Sequence, residues 1–543
     1  MPTKIEVEGL SIDPGEYSSA VEAALRKAEA DRLVERIWSR DHTVWKPDPT
    51  EIADRLGWLD IATSMNAEVP TLLAFAAEIK NAGISKVLLL GMGGSSLAPE
   101  LFGKLLPTNS GLKLSVLDST DPEAVSAQER SHDPATTLYI VSSKSGGTVE
   151  TSSFFKYFYT LAKEKLGEQE AGKRFIAITD PGSGLAKIGE QLAFRRVFLA
   201  DPNIGGRYSA LSHFGLVPAA LIGVDLPKLL AGAEHRAQHC ASKEVRQNPG
   251  AVLGLTLGAL ALNGCDKVIF RLPEELASFA DWAEQLIAES TGKEGKGILP
   301  VAGEPARASS AYGPDRVFVT TPESSAPDLG PNIQVAWTDP YDVGGQFFLW
   351  EYAIAVAGYM LGINPFDQPN VESAKIQTRQ VVEEYRRSGK LPKGSAQAAS
   401  GVTLNQFLKG SGPGAYIALQ VYAAATPDLS EALGLLRTRL VRKYRLATTL
   451  GFGPRFLHST GQLHKGDAGK GLFVQVVSRP PKDDLAIPVD AGAPTSEIAF
   501  GILKMAQALG DAQALRAAGR RVITFETDVD QLLAMIQQLT KEL

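Results

Sequence analysis

Residues 88–100 read LLLGMGGSSLAPE, an apolar run followed by a glycine cluster, two serines and the start of a helix-like segment. A buried strand, a glycine turn and a helix N-terminus in this order can bind an anion. Free backbone N–H groups and the helix dipole both favour negative charge there. The stretch therefore predicts a parallel α/β sheet with a phosphate-binding loop at one strand end. It leaves open whether the phosphate belongs to a dinucleotide or to a small metabolite.

The surrounding sequence predicts two α/β domains behind a helical N-terminal segment. From Ser85 onward, short apolar runs (KVLLLG, LKLSVLD, TTLYIVSS, KRFIAITD and RRVFLA) alternate with helical stretches. This alternation is typical of a doubly wound parallel sheet. DKVIFRL, RVFVTT, IQVAWTD, GLFVQVV and RRVITFET predict a second set of strands. We therefore expect a helical segment over residues 1–80, a first domain over 81–245 and a second over 246–543.

The composition argues against several classes of protein. A net charge of −6 gives no basic field for nucleic acid or for an acidic membrane surface. The most apolar segments are too short to span a bilayer, and the N-terminus lacks the apolar core of a signal peptide. Two cysteines, with no Cys/His cluster at metal spacing, predict neither a disulfide framework nor a zinc site. We expect a cytoplasmic protein without a metal or cofactor, which holds an anionic ligand by local groups.

The first glycine loop also fits a nicotinamide oxidoreductase. A GxG motif begins at Gly91, and Asp118 ends the next strand, where an acidic residue can bind a ribose hydroxyl. However, Ser96 occupies the third glycine position. The next strand is followed by SSKSGGTVET, residues 142–151, in which hydroxyl groups surround two glycines and suit one tetrahedral phosphate. The two loops together favour a sugar monophosphate over a dinucleotide.

Several further segments resemble signatures of the phosphoglucose isomerase family. NIGGRYS (203–209) resembles GGR[FY]S, ESTGK (289–293) resembles ES-x-GK, and FDQPNVESAK (366–375) resembles FDQxGVExxK. Asn370 stands where the family usually has a small residue. The resemblance covers roughly residue 86 to the C-terminus, and RIWSRDHTVWKPDPTEIADRLGWL before it resembles the isomerase half of transaldolase–isomerase fusions. It implies two sugar-isomerase (SIS) domains, each a doubly wound parallel sheet flanked by helices, and a homodimer.

The resemblance implies reversible isomerisation of glucose 6-phosphate and fructose 6-phosphate by ring opening and proton transfer through an enediolate. It implies Glu289 as the base, Arg207 as the charge that stabilises the enediolate oxygen, and Lys375 as a partner in ring opening. Gln285, which shares a helix face with Glu289, and Gln368 are implied substrate contacts. The expected phosphate ligands are Gly94, Ser95, Ser143, Lys144, Ser145, Thr148 and Thr151.

The ring-opening histidine is displaced along this chain. In the family it lies in an LHSxGQ loop between the ES-x-GK and FDQ motifs, an interval that here contains no histidine. LHSTGQ occurs instead at residues 457–462, after the FDQ motif. We therefore predict a rearranged segment order in the second domain, with His458 in the ring-opening position and His213 and His464 as alternatives. The resemblance also implies that this histidine is donated across a dimer interface.

Three other functions stay open on the sequence. The first is a dual-specificity isomerase that also accepts mannose 6-phosphate. The second is a non-catalytic protein that binds sugar phosphates and retains only the SIS fold. Such a protein is expected to have lost its acid/base residues, whereas Glu289, Arg207, Lys375 and a histidine loop are all present. The third is the nicotinamide oxidoreductase, which Ser96 disfavours.

Overall fold

The structure is a computed structural model that describes residues 4–109, 111–324, 329–481 and 484–543. The β-strands, in chain order, are β1 Ile5–Val7, β2 Leu10–Asp13, β3 Lys86–Gly91, β4 Lys113–Leu117, β5 Thr137–Ser142, β6 Phe175–Thr179, β7 Arg196–Leu199, β8 Lys267–Arg271, β9 Leu299–Val301, β10 Arg316–Thr320, β11 Asn332–Val335, β12 Tyr416–Tyr422, β13 Ala447–Phe452, β14 Gly471–Arg479, β15 Ala486–Pro488, β16 Ser496–Ala499 and β17 Arg521–Asp528.

The α-helices lie between these strands and cover both faces of the sheets. They are α1 Ser18–Ala30, α2 Leu33–Trp38, α3 Ile61–Asn81, α4 Leu97–Leu105, α5 Pro122–Ser131, α6 Val149–Leu166, α7 Glu168–Ala171, α8 Gly184–Gln191, α9 His213–Ile222, α10 Leu226–Cys240, α11 Pro249–Leu262, α12 Ala277–Thr291, α13 Val343–Leu361, α14 Val371–Ser388, α15 Gly401–Leu408, α16 Pro427–Tyr444, α17 Gly461–Gly466, α18 Phe500–Ala517 and α19 Leu532–Glu542.

The first sheet is parallel throughout, with the strand order β4-β3-β5-β6-β7. These are the five strands predicted between residues 86 and 200. Helices cover both faces, so the central strands β3 and β5 are almost fully buried and read as continuous apolar runs. The carboxyl ends of parallel strands lie at one edge, and this edge carries the loops that follow β3 and β5. The predicted α/β fold with parallel sheets flanked by helices is confirmed.

The strands after residue 246 belong to two larger sheets and a small hairpin. One sheet has the order β1-β2-β11-β10-β8-β9, the other β13-β12-β14-β17, and β15 pairs with β16. The five strands predicted in this region are present, whereas β9, β12, β13, β15 and β16 were not predicted. The edge strands β9 and β13 are joined by side chains. Glu304 accepts hydrogen bonds from the backbone and hydroxyl of Thr448, and Arg437 binds the Ala302 carbonyl at 3.0 Å.

The N-terminal segment is not wholly helical as expected. Helices α1, α2 and α3 are present, but β1 and β2 form a hairpin in front of them. Strand β2 joins the second sheet antiparallel to β11, with Ile12 opposite Ile333. Alternate residues Leu10 and Ile12 are buried there, a period-two pattern too short to stand out beside the long helical periodicity that follows.

Helix α13 is the centre of the largest apolar core. It is buried around almost its whole circumference and packs against α10, α11 and α12. A helix that is apolar on all sides has no solvent face and belongs inside a domain. The core therefore provides a rigid support for α12, whose last turn carries Glu289. Within the described ranges, no helix has both the length and the apolar character needed to cross a bilayer.

Candidate active site

Two adjacent glycines after β3 allow three distant segments to meet. Gly93 has a φ of +54°, and a Cβ there would lie 2.9 Å from Gln285 Nε2 and 2.8 Å from the His458 carbonyl oxygen. A Cβ at Gly94 would lie 2.0 Å from the carbonyl oxygen of Gly206. Any side chain at position 94 would therefore displace this backbone. The loop thus brings α12, the GGRYS segment and the histidine segment into direct contact.

Arg207 is the most completely bonded side chain of the site. It is buried, and its Nε donates to the Ser290 hydroxyl at 2.8 Å. Its Nη1 donates to Gln368 Oε1 at 2.7 Å and to Glu289 Oε2 at 3.3 Å. Its Nη2 donates to the carbonyl oxygens of Pro365 and Asp367 at 2.7 and 2.9 Å. The guanidinium therefore joins the GGRYS, ESTGK and FDQ segments and holds a fixed positive charge against Glu289.

Glu289 and Gln285 lie one helical turn apart on the buried face of α12. Glu289 Oε2 accepts hydrogen bonds from Arg207 Nη1 and Gln285 Nε2, each at 3.3 Å. Gln285 Oε1 is buried and has no hydrogen-bond partner among the residues that the structure describes. Buried polar atoms are rarely left unpaired. The free amide oxygen beside a buried carboxylate is the arrangement expected where a polar ligand binds.

Lys293 places a second buried cation behind Arg207. Its Nζ donates to the backbone carbonyl and to the carboxylate of Asp367, at 2.5 and 2.7 Å. The Asp367 carbonyl also accepts from Arg207, so the two cations share one partner. Burial, together with repulsion from Arg207, lowers the pKa of Lys293 to about 8. The pKa of Lys293 therefore lies about one unit above neutral pH.

The Lys293→Arg variant is expected to remove an alkaline limb from the pH profile. In the wild type, Lys293 loses its charge above about pH 8, and its contact with Asp367 weakens. We therefore expect kcat/KM for the isomerisation of fructose 6-phosphate to fall there. Arginine stays charged, so the variant keeps a flat kcat/KM up to about pH 9.5. The pKa of Lys293 is lower in the folded wild type than in the unfolded chain. Burying the charged lysine therefore lowers stability below about pH 8, and that cost disappears as pH rises towards about 10.4.

The measurement is kcat/KM between about pH 6 and 9.5, with urea unfolding at both ends of that range. Lys296→Arg is the matched control, because Lys296 lies three residues away and donates to the Leu361 carbonyl. It should leave the limb and the pH dependence of stability in place. An unchanged alkaline limb in Lys293→Arg would show that another group titrates there.

A chain of hydrogen bonds joins His458 to helices α6 and α18. Its Nε2 lies 3.0 Å from Glu150 Oε1, which also accepts from Gln507 Nε2 at 2.7 Å. Gln507 Oε1 in turn accepts from the Thr120 hydroxyl at 2.6 Å. Burial alone would raise the pKa of Glu150, but attraction and hydrogen bonding to His458 hold it below its ordinary value. A carboxylate on Nε2 fixes the tautomer and leaves Nδ1 for a ligand.

The alternative histidines lie elsewhere. His464 is buried, its Nδ1 faces the Gln420 amide at 3.3 Å, and burial lowers its pKa well below the ordinary value. His213 begins α9, packs against Phe198, and has its pKa lowered by burial. The structure thus brings His458 to the predicted site. Glu150 and His458 of the same chain are hydrogen-bonded here, and donation of the histidine across a dimer interface stays a prediction.

A cavity of about 400 Å³ opens beside His458 and Glu150. Lys375 on α14 lines it, with more than half of its side chain exposed and Glu372 at 3.9 Å. Thr148, Lys465 and Gln507 also line this space, and Lys465 is held by Asp511 at 2.6 Å. The cavity is large enough for a small metabolite and reaches from the 142–151 loop to the catalytic candidates on α14 and in the histidine segment.

The 142–151 loop supports part of the predicted phosphate site. The Ser143 hydroxyl accepts from the Gly146 N–H at 3.2 Å and contacts the Thr148 hydroxyl, and α6 begins at Val149. The Thr151 hydroxyl is buried and lacks a hydrogen-bond partner within the described residues. The first N–H groups of a helix also lack partners within the helix. Hydroxyls and backbone donors therefore converge at the start of α6.

The remaining predicted phosphate ligands behave differently from one another. The Ser145 side chain is exposed, and its hydroxyl accepts from the Gly147 N–H at 3.2 Å. The Ser95 carbonyl accepts from Ser142 and so joins the two loops. Lys144 instead binds Asp180 at 2.7 Å and the Pro202 carbonyl at 3.1 Å. Its charge is thus already paired at the neighbouring strand end.

Asp118 and Ser96, the residues of the dinucleotide hypothesis, have structural partners. Asp118 binds Nη1 of Arg455 at 2.9 Å, and this arginine lies three residues before His458. The buried Ser96 hydroxyl donates to the Gly93 carbonyl at 3.1 Å and stabilises the glycine turn. An aspartate that is paired with a partly exposed arginine in this way is not free to bind a ribose.

Several residues of the site were not predicted as functional. Glu150 and Lys293 both lie inside segments already quoted as motifs. For Glu150 a signal was available, because it is an acidic residue in the first turn of a helix that follows a predicted phosphate loop. Gln507 and Arg455 had no such signal, because their partners lie several hundred residues away along the chain. Only the packing of α18 and the histidine segment on the first domain gives them a role.

A separate group of side chains of the types that can ligate a metal lies where α10 meets the turn between β1 and β2. Glu8, His235 and His239 bring their ligand atoms within 4.8 Å of one another. This group was not predicted from the sequence. Arg236 donates to Glu8 at 3.0 Å, so the carboxylate already has a cationic partner.

Known proteins share sequence with large parts of this chain. Residues 76–298 match the family model described as phosphoglucose isomerase. The glucose-6-phosphate isomerase of Thermosynechococcus vestitus is 28% identical over 417 residues, which cover 65% of this chain and 75% of the relative. The glucose-6-phosphate isomerase of Streptococcus equi subsp. zooepidemicus is 25% identical over 423 residues, which cover 66% of this chain and 94% of the relative.

Solved structures share the fold. The glucose-6-phosphate isomerase from Chlamydia trachomatis gives a TM-score of 0.59 at 19% identity, over 70% of this chain and 90% of that one. A hypothetical protein from Thermus thermophilus gives a TM-score of 0.58 at 24% identity, over 68% of this chain and 99% of that one. This chain is therefore similar to the phosphoglucose isomerase family over residues 76–298, and to glucose-6-phosphate isomerases at 25–28% identity over about two thirds of its length.

Proposed function

We propose that this protein interconverts glucose 6-phosphate and fructose 6-phosphate. The observation that carries the proposal is the buried Glu289–Arg207 pair, joined through Gly93 to a second acid/base pair, His458 and Glu150. Isomerisation needs both: one group to open the sugar ring and another to move a proton between carbons. The named relatives favour this reaction over a binding protein or an oxidoreductase.

The phosphate binds at the start of α6. Ser143, Thr148 and Thr151 supply hydroxyl groups, and the first backbone N–H groups of the helix complete the shell. Gly94 and Ser95 contribute the facing wall from the first glycine loop. An anion at this position also gains from the helix dipole. The phosphate thereby anchors the sugar with its carbonyl carbons towards Glu289.

Ring opening falls to His458 and Lys375. Opening requires a proton to be delivered to the ring oxygen and another to be removed from the anomeric hydroxyl. His458, held through Nε2 by Glu150, offers Nδ1 as one of these groups, and Lys375 lines the same cavity. The two side chains exchange these protons with the sugar, so the step is neutral overall.

Glu289 then transfers a proton between neighbouring carbons. Its carboxylate takes the proton from C1 of the ketose, or from C2 of the aldose, and the electron pair moves into the C1–C2 bond as an enediolate forms. Arg207 stabilises the negative oxygen, and Glu289 returns the proton to the other carbon. Gln285 and Gln368 position the hydroxyls through their amide groups.

The turnover of fructose 6-phosphate, coupled to detection of glucose 6-phosphate, tests the proposal. We expect efficient turnover that a chelator does not change, and roughly 100-fold slower turnover of mannose 6-phosphate. The two aldoses differ in the face of C2 that carries the proton, and Glu289 approaches from one face. Equal rates would favour the dual-specificity isomerase. No turnover of either substrate would favour a binding protein.

The homodimer, the cytoplasmic location and the origin of the chain from a transaldolase fusion stay predictions from the sequence. Sedimentation of the purified protein tests the first of these directly. The sugar-phosphate substrate does not depend on them.

A further inference from the structure

We propose that Glu8, His235 and His239 form a binding site for one divalent transition-metal ion of the kind that imidazole binds well, such as Zn²⁺. The site joins the turn between β1 and β2 to the end of helix α10, and it shares no residue with the candidate active site. The proposal therefore goes beyond the proposed isomerase function and does not depend on it. Three features of the structure carry it: the set of donor atoms, the way in which Glu8 is held, and the electric field at the end of the helix.

The donor set suits a transition metal. His235 and His239 lie four residues apart on α10, so both imidazoles project from one side of the helix, and their ring centroids are 4.7 Å apart. Of the seven histidines in the sequence, only this pair is spaced by one helical turn. Two imidazoles and one carboxylate are a recurrent set of three protein ligands for Zn²⁺, whereas Ca²⁺ and Mg²⁺ prefer oxygen ligands throughout. The chemistry of the group therefore selects an ion of the zinc type.

The three side chains can close around an ion by rotation of their own bonds. Their ligand atoms already lie within 4.8 Å of one another. Metal–ligand bonds of about 2.0–2.2 Å in a tetrahedral arrangement place ligand atoms about 3.4 Å apart, so each pair must approach by at most about 1.4 Å. Glu8 and His239 are exposed over 38% and 39% of their side chains, and His235 is exposed as well, so all three have room for this movement. The exposed side leaves the fourth ligand position to water.

Arg236 holds Glu8 in place between the two histidines. The Nη1 of this buried arginine donates to the Glu8 carbonyl at 2.7 Å and to Oε2 of the Glu8 carboxylate at 3.0 Å. Gly9 has a φ of +77°, and a Cβ there would lie 2.7 Å from Arg236 Nη2, so the turn approaches the arginine where only glycine fits without strain. A carboxylate offers about four acceptor positions, and among the described residues Oε1 of Glu8 accepts no hydrogen bond. Arg236 thus orients the carboxylate and leaves Oε1 for the ion, since hydrogen bonds to a metal ligand fix its orientation.

The end of α10 favours a cation and is rigid. The helix ends at Cys240, so His239 lies in its last turn, where the helix dipole is negative. The Cys240 carbonyl accepts hydrogen bonds from Trp38 Nε1 at 2.8 Å and from Asn248 Nδ2 at 2.6 Å, and the helix packs on α13. An ion bound at this end therefore ties the β1–β2 hairpin to a fixed helix.

Calorimetric titration of the chelator-treated full chain with Zn²⁺ alone tests the proposal. We expect one Zn²⁺ ion per chain, and binding at least about tenfold weaker in His235→Gln, in His239→Gln and in Glu8→Gln, because each change removes one of three ligands. His42→Gln, which alters a histidine outside the site, and Glu6→Gln, which alters an exposed glutamate on β1, are the matched controls. Both controls should bind Zn²⁺ as the wild type does.

Hydrogen exchange shows whether the ion ties the hairpin to the helix. Zn²⁺ should slow the exchange of backbone amides in residues 5–13 of the wild type but not of His239→Gln, because a bound ion opposes local opening. Absence of binding up to about 1 mM Zn²⁺, or equal affinity in the wild type and the three ligand variants, would overturn the proposal. Unchanged exchange in the hairpin of the Zn²⁺-bound wild type would contradict the link to α10. Isomerase activity is not a readout here, so its absence would refute the proposed function and leave this test intact.

Discussion

Glu289→Gln is expected to lower kcat for fructose 6-phosphate by about 10²–10⁴-fold, the usual contribution of a general base. The amide has nearly the same shape and can still occupy the place between Arg207 and Gln285. It cannot take a proton from carbon. KM should change little, because the phosphate contacts at the start of α6 are untouched. Steady-state kinetics in both directions measure the loss.

The same variant separates the two chemical steps. Anomerisation of glucose 6-phosphate should persist in Glu289→Gln, since His458 and Glu150 remain in place. Glu275→Gln, an exposed glutamate just before α12, serves as the matched control and should match the wild type in every assay. Near-wild-type isomerisation by Glu289→Gln would remove Glu289 from the role of base.

Arg207→Met is expected to affect both catalysis and stability. The removed guanidinium donates five hydrogen bonds and is almost fully buried beside Glu289. Its loss leaves a buried carboxylate unpaired, and breaking such a pair costs about 3–5 kcal/mol in the free energy of unfolding. The enediolate oxygen also loses its fixed charge, which should lower kcat by a further factor of about 10²–10³.

Urea unfolding and kinetics at a temperature where the variant is folded separate these effects. Arg207→Lys should recover part of the stability but little of kcat, because an ammonium group cannot reach the same five acceptors. Arg195→Lys, which alters a partly exposed ion pair with Glu78, is the control and should cost about 0–1 kcal/mol. An unchanged kcat in folded Arg207→Met would show that the enediolate needs no charge at this position.

The first sheet could be predicted from sequence because its strands are apolar and regularly spaced. β3 and β5 lie in the centre of a covered sheet, so burial on both faces is visible as continuous apolar letters. β9 has three residues, and the hairpin strand β2 has four, which is too short for a period to emerge. β12 is as buried as β5, but it follows a loop-rich section that obscured it.

Motif spacing predicted the residues that share one segment, but not those that meet by packing. Glu289, Arg207 and Gln368 converge as the resemblance implied. Lys144 does not join the phosphate loop hydroxyls, because Asp180 after the neighbouring strand competes for its charge. Gln507 completes the Glu150 contact from a helix that carries no motif. Such pairings depend on the tertiary arrangement, which a single sequence does not state.

The contact between Gly94 and Gly206 limits how this enzyme can change over evolutionary time. Gly94 belongs to the loop that follows β3, and Gly206 directly precedes Arg207. A Cβ at Gly94 would lie 2.0 Å from the Gly206 carbonyl oxygen, whereas a Cβ at Gly206 would meet no atom within 4 Å, so the close approach requires glycine at position 94 alone. Position 94 is therefore closed to substitution, whereas position 206 can accept a small side chain without a clash, and the two loops can diverge only from the second side.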